Sequence, residues 1–200
     1  MSQAAASRAS RAVTPADAAL LIVDVQQGFD DPFWGPRNNP AFEARVAELL
    51  GAWRAFGRPV LHARHMSSVA GSPLRPGQRG NDFKPEAAPR RGEPVHEKTV
   101  NSCFIGTSLD EDLRRSGIGG LVVAGLTTNH CVSTTARMAG NLGYGVWVVS
   151  DASATFDRTG PDGVRYPADL VHAMALSDLN GEFASVIDTR TLIAEFGRRS

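Results

Sequence analysis

Leu121-Val122-Val123-Ala124, running on through Gly125-Leu126-Thr127 into Thr128-Asn129-His130-Cys131, decides how this chain folds. Four apolar residues without alternation, cut off by glycine, read as a strand buried on both faces of a parallel sheet. The polar letters that follow open a helix predicted from Thr128 or Asn129 to Leu142-Gly143. The same alternation recurs on either side. Ala19-Leu20-Leu21-Ile22-Val23 is a first buried strand ending at Asp24. Asn39-Pro40 opens a helix with proline at its first position, and Phe42, Val46, Leu49, Leu50 and Trp53 keep helical spacing until Gly57. Residues 59–63 make a second strand, 146–149 a further one, and 184–187 a last short one. Helices are predicted over 109–116, capped by Thr107 or Ser108, over 168–179 and over 189–196. Residues 64–97 carry much Gly, Pro and Arg and little periodicity, and a segment so long and irregular inside a compact domain usually carries function.

Strands alternating with helices predict an α/β fold: a three-layer α/β/α, Rossmann-like domain around a central parallel sheet of about six strands. The 200 residues, 42% of them hydrophobic, suit one domain over residues 14–200, with residues 1–13 as a disordered tail lacking the apolar core of a secretion signal. Lys plus Arg and Asp plus Glu both total 21, a balance that argues against nucleic acid as a partner. The longest apolar run, residues 18–23, is far too short to span a bilayer, so no membrane association is expected. Two cysteines, Cys103 and Cys131, make no disulfide framework and suit a reducing cytoplasm.

Ligands of open α/β sheets collect beyond the carboxyl ends of strands. Asp24 stands at one such end and Cys131 just past another, in the first turn of a helix, where the dipole is expected to lower a thiol pKa. Each alone reads first as an ordinary feature: a helix or turn cap and a small buried hydrophobe. Lys98 would hold both groups charged if it lay between them, though by itself it reads as a solvated cation. Cys103 precedes a helix without a buried strand before it and is expected to be structural.

Three separated stretches together resemble the isochorismatase-like cysteine hydrolases. They are Asp24 within Leu21-Ile22-Val23-Asp24-Val25-Gln26, Lys98 ahead of Ser102-Cys103-Phe104-Ile105-Gly106-Thr107, and Val123-Ala124-Gly125-Leu126-Thr127-Thr128-Asn129-His130-Cys131-Val132. The resemblance runs from about residue 18 to 196 in the family's order. It implies an Asp24–Lys98–Cys131 triad and a non-proline cis peptide before Thr127. It also implies an oxyanion hole from the backbone N–H groups of Thr127 and Cys131, and hydrolysis of a small-molecule amide through a thioester. Two alternatives stand beside it: vinyl-ether hydrolysis without covalent catalysis, and a non-catalytic, redox-sensing member of the fold. Related hydrolases usually associate, so a homo-oligomer, dimer or tetramer, is expected, with Thr159-Gly160-Pro161-Asp162-Gly163 as the segment that reaches a neighbour.

Departures from the family narrow the reading. Nicotinamidases of this family carry an Asp-x-His pair and further histidines for a metal, whereas this chain reads His62-Ala63-Arg64-His65-Met66-Ser67. His65 by itself makes no metal site, so neither metal nor cofactor is expected, and His65 is a candidate pocket donor. Phe29, Trp34 and Phe156 follow strand ends and are candidate walls of an apolar pocket. Arg64, Arg75, Arg79, Arg90 and Arg91 crowd the long loop, where one would meet a substrate carboxylate and the rest stay solvated.

Overall fold

The computed structural model describes residue 14 and residues 17–196, so the disordered tail expected over 1–13 lies outside the described residues. Six parallel strands form one sheet in the order β3-β2-β1-β4-β5-β8. They are β1 (Ala19–Val23), β2 (Val60–His65), β3 (Val95–Lys98), β4 (Gly120–Leu126), β5 (Gly145–Ala154) and β8 (Ser185–Ile187). A two-stranded hairpin, β6 (Arg158–Thr159) and β7 (Arg165–Tyr166), stands apart from it. The helices are α1 (Phe42–Ala55), α2 (Leu109–Arg115), α3 (Ser133–Asn141), α4 (Ala168–Leu179) and α5 (Thr189–Phe196).

Strand side chains alternate between faces, and both faces of β1 and β4 are covered, which is why those strands are apolar throughout. Leu20, Ile22, Val122 and Ala124 pack with Phe42, Val46, Leu49, Leu50 and Trp53 of α1 and Leu192 of α5. Leu21, Val23, Leu121 and Val123 pack on the other side with Leu109 and Leu113 of α2, Ala136 and Ala139 of α3, and Leu179 of α4. Each fully buried leucine or isoleucine removed from water stabilises the fold by about 1.5–3 kcal/mol. These two layers of side chains hold the three-layer α/β/α arrangement together.

The structure adjusts several predicted elements. α1 begins at Phe42 rather than at Asn39-Pro40, because Asn39 takes a left-handed conformation (φ 49°). Its side-chain amide donates instead to Ser150 O (3.0 Å) and Ser153 O (2.6 Å), tying the entrance of α1 to β5. The helix expected from Thr128 starts as a wide π-helical turn over Thr128–Val132 before α3 continues it. Residues 64–97 are not wholly irregular: their end enters β3, which pairs with β2 from His62↔Val95 to His65↔Lys98. Side chains anchor the rest of that loop. Gln26 Nε2 donates to His65 O (3.1 Å) and Asn81 O (3.0 Å), and Asn81 Nδ2 donates to His65 O (2.8 Å) and Leu74 O (2.8 Å). Among the described residues no helix is long and apolar enough to cross a membrane.

Candidate active site

Three neighbouring strands deliver the site. Asp24 follows β1, His65 ends β2 and Lys98 ends β3. The wide turn after β4 brings Cys131 to the same end of the sheet. Asp24 is fully buried and held in a left-handed conformation (φ 52°), which turns its carboxylate out of the strand direction. Close approach makes this turn possible. A Cβ added to Gly125 (φ +135°) would stand 2.0 Å from Val23 O, so only glycine lets β4 lie against β1 beside Asp24.

Lys98, 1% exposed, reaches back across β2 toward Asp24, and its Nζ donates to Asp24 Oδ2 at 2.6 Å. Its other contacts are His65 Nδ1 at 3.3 Å and Val100 O at 3.2 Å. An ammonium has three protons and no acceptor, so all three are spent, and His65 must accept at Nδ1. Lys98 therefore influences the site through its charge alone. Burial opposes that charge, but the Asp24 carboxylate, with Cys131 and Cys103 behind it, holds the ammonium well above its ordinary pKa of 10.5. His65 is pushed the other way, first by burial and then by the Lys98 charge, and stays neutral.

The Cys131 thiol donates to Asn101 Oδ1 at 3.8 Å. Contrary to the expectation from its place near a helix start, its pKa lies above the ordinary thiol value. Burial is the main cause and the Asp24 charge the second, while Lys98 pulls the other way without prevailing. The resting site thus holds a neutral thiol beside an ion pair. Among the described residues Asp24 Oδ1 has no hydrogen-bond partner, and the Asp24 carboxylate lies within 4.8 Å of the Cys131 sulfur, so a buried acceptor stands open close to that thiol. Cys103 is fully buried and its thiol is pushed up to about 12, chiefly by burial. It packs among the core residues of the α2 and α3 side, which is the structural place expected for it.

Contrary to the sequence expectation, His65 does not stand by itself. Its ring, the Asp24 carboxylate and the Cys131 sulfur offer ligand-type atoms all within 4.8 Å of one another. Lys98 already bonds to Asp24 and His65, so a divalent ion placed there would have to displace a buried ammonium from both. That arrangement fits the metal poorly.

The peptide between Leu126 and Thr127 is cis, as the resemblance implied. Among the described residues the Thr127 N–H donates to no acceptor, while Thr127 O takes the His130 N–H (3.0 Å) and the Val132 N–H (3.2 Å). Thr127 forms part of the wall of a cavity of about 370 Å³, together with Trp34, His130, Phe156 and Arg158. Of the four pocket candidates, Trp34 and Phe156 line this cavity with ring centroids 5.7 Å apart. Phe29 packs behind them, 4.9 Å from the Trp34 ring, and His65 belongs to the Lys98 cluster instead. None of the loop arginines lines the cavity. Arg64 bonds to Glu97 and Arg79 to Gln27, whereas Arg158, from the hairpin, was not among the candidates. Its only sequence signal is a cation in the polar stretch after β5.

Comparison with known proteins agrees with this architecture. The isochorismatase domain family matches residues 18–191. The isochorismatase family protein YrdC of Bacillus subtilis is 43% identical over 89% of this chain and 95% of its own length. The ureidoacrylate amidohydrolase RutB of Methylobacterium radiotolerans is 29% identical over 93% of this chain and 82% of its own. The crystal structure of an isochorismatase-family hydrolase from Chromobacterium violaceum superposes with a TM-score of 0.88 at 49% identity, covering 92% of this chain and 95% of that one. With its six-stranded parallel sheet and a match across most of its length, the chain belongs to the isochorismatase family of hydrolases.

Proposed function

We propose that this protein hydrolyses a C–N bond of a small amide, with Cys131 as nucleophile, Asp24 as proton acceptor and donor, and Lys98 as their buried counter-charge. The observation that carries the reading is the open Asp24 Oδ1 beside a neutral thiol, with Lys98 bound to the other oxygen. Asp24 Oδ1 takes the thiol proton as Sγ attacks the amide carbonyl carbon. The oxygen, now negative, accepts from the Thr127 and Cys131 N–H groups, an interaction worth several kcal/mol in sites of this type. Collapse breaks the C–N bond, and Asp24 returns its proton to the departing ammonia or amine. Water then adds to the thioester, giving one proton to Asp24, and the acid product leaves as Sγ is reprotonated. A high resting thiol pKa suits this order, because the thiolate forms only as Asp24 accepts its proton. The amidohydrolase name borne by RutB supports the choice of bond.

Ammonia release from a panel of aliphatic and aromatic amides, with intact-mass detection of an acyl adduct on Cys131, tests the reading. A Cys131→Ala variant that keeps full turnover overturns it in favour of vinyl-ether hydrolysis with Asp24 as acid. A thiol that forms sulfenic acid while no substrate turns over favours the redox sensor. We place the protein in a reducing compartment, the cytoplasm, where its two free thiols persist. We further place it in a homo-oligomer, on the exposed apolar residues Val164, Tyr166, Leu170 and Met174 that follow the Thr159–Gly163 segment.

A further inference from the structure

We propose that the amide substrate is an amido acid whose carboxylate is held by Arg158. The inference rests on the hydrolase reading above. The cavity beside Thr127 carries two charged residues, Asp157 and Arg158, and only one is available to a ligand. Asp157 is spent within the protein: Oδ1 accepts the Ala168 N–H (2.8 Å) and Oδ2 accepts Arg165 Nε (2.8 Å). Arg158 makes no ion pair and no side-chain hydrogen bond among the described residues, although Arg37, Arg45, Arg54, Arg64, Arg114 and Arg165 each meet a carboxylate. Its planar fork of N–H donors therefore faces the cavity unmatched, and a carboxylate is the group that fork fits in bidentate fashion.

The neighbouring histidine leaves that positive charge unopposed. His130, next to Cys131 in the chain, also lines the cavity, and burial followed by the Arg158 charge keeps its ring neutral. It adds no competing charge and leaves the guanidinium dominant. Thr127 and Arg158 share this cavity with Trp34 and Phe156, whose rings are stacked with 30° between their planes. Trp34 is held by its indole N–H on Gly28 O at 2.8 Å. A flat or short body fits against these rings. The volume of about 370 Å³ sits near the lower end of the range of about 300–1,000 Å³ typical of small-molecule sites, so the body is compact.

The test pairs each amido acid with a neutral isostere in which acetyl replaces carboxylate: succinamate with 4-oxopentanamide, and 3-carbamoylbenzoate with 3-acetylbenzamide. In the wild-type protein kcat/KM for the acid should exceed that for its isostere by about ten- to a hundredfold, the range expected for a charge-assisted pair. In Arg158→Met that ratio should fall toward one, through KM, and Arg158→Lys should lie between. A ratio near one in the wild type, or one unchanged in Arg158→Met, overturns the proposal while leaving amide hydrolysis standing. If no amide of either kind is hydrolysed, the hydrolase reading fails and calorimetry with isophthalate decides the subsite. Binding weakened at least tenfold in Arg158→Met supports it, and absent or equal binding overturns it. Arg158 is exposed on a two-residue strand, so equal melting temperatures are expected for all three proteins.

Discussion

Replacing Lys98 with methionine removes the ammonium and keeps an unbranched side chain of similar length. Both Lys98 and Asp24 side chains are 0% exposed in their 2.6 Å ion pair, so the substitution strands a buried carboxylate. Breaking a buried pair from one side typically costs about 3–5 kcal/mol, whereas exchanging a solvated surface lysine costs within about 0.5 kcal/mol. For a domain of this size, that loss lowers Tm by about 6–20 °C. Urea denaturation at pH 7 reads the loss, and Lys98→Met/Asp24→Asn should lose less than Lys98→Met because no unpaired charge remains. The pH dependence has a definite sign. Lys98 is held above its ordinary value of 10.5, so its stabilisation is complete below that pH and is lost as pH climbs through the raised value. The gap between wild type and Lys98→Met should therefore narrow only at strongly alkaline pH. Alkylation gives a second readout, because Lys98 pulls the Cys131 thiol pKa down and removing it should shift iodoacetamide labelling to higher pH. A loss under about 1 kcal/mol, or one that Asp24→Asn does not relieve, would refute the buried-pair argument.

Asp24→Asn should abolish turnover while Cys131 remains alkylatable, and asparagine is the suitable replacement because it tolerates the left-handed backbone at φ 52° better than alanine; turnover above a tenth of wild type in an ammonia-release assay would count against the proton transfer. Gly125→Ala should lose most of its soluble yield or several kcal/mol in urea titration, since its Cβ would meet Val23 O at 2.0 Å; a wild-type midpoint would contradict the close approach. Glu93, opposed by burial but held down to about 2 by Arg54, the Arg90 N–H and His62, stabilises the fold above its ordinary carboxylate range. Glu93→Gln should therefore narrow the stability lost between about pH 4.5 and 2 on acid titration followed by circular dichroism. Sedimentation at micromolar concentration should give a species larger than 21.3 kDa.

Hydrophobic patterning made the sheet centre readable. Ala19–Val23 and the residues of β4 are apolar because helices cover them on both sides, and that burial is what a sequence advertises. The same logic explains why β3 went unread. It lies at the sheet edge, its inward residues are His96 and Lys98, and Val95 is 38% exposed, so neither a buried nor an alternating apolar pattern marks it. Local motifs placed Asp24 and Cys131 at strand ends, but the Lys98–Asp24 contact joins residues 74 apart and depends on how β1, β2 and β3 align. The raised thiol pKa was hidden for a similar reason: dipole and lysine both argue for a thiolate, and only three-dimensional burial beside Asp24 outweighs them. Arg158 sits in a hairpin of two-residue strands, too short to leave any periodic trace.

The lysine of the site is the last residue of a four-residue strand at the margin of the sheet. Its neighbour β2 covers one side only, while the core strands β1 and β4 are flanked on both. Margins of a sheet open and reclose more readily than its centre, by excursions that cost far less than global unfolding. Each such excursion would carry Lys98 away from Asp24 while α1, α3 and the central strands stay folded. Under the proposed mechanism the protein then switches off long before it melts, so thermal inactivation should precede the loss of helical signal. Amide hydrogens of residues 95–98 should exchange ahead of those of β1 and β4, making the sheet margin the place where working lifetime is set.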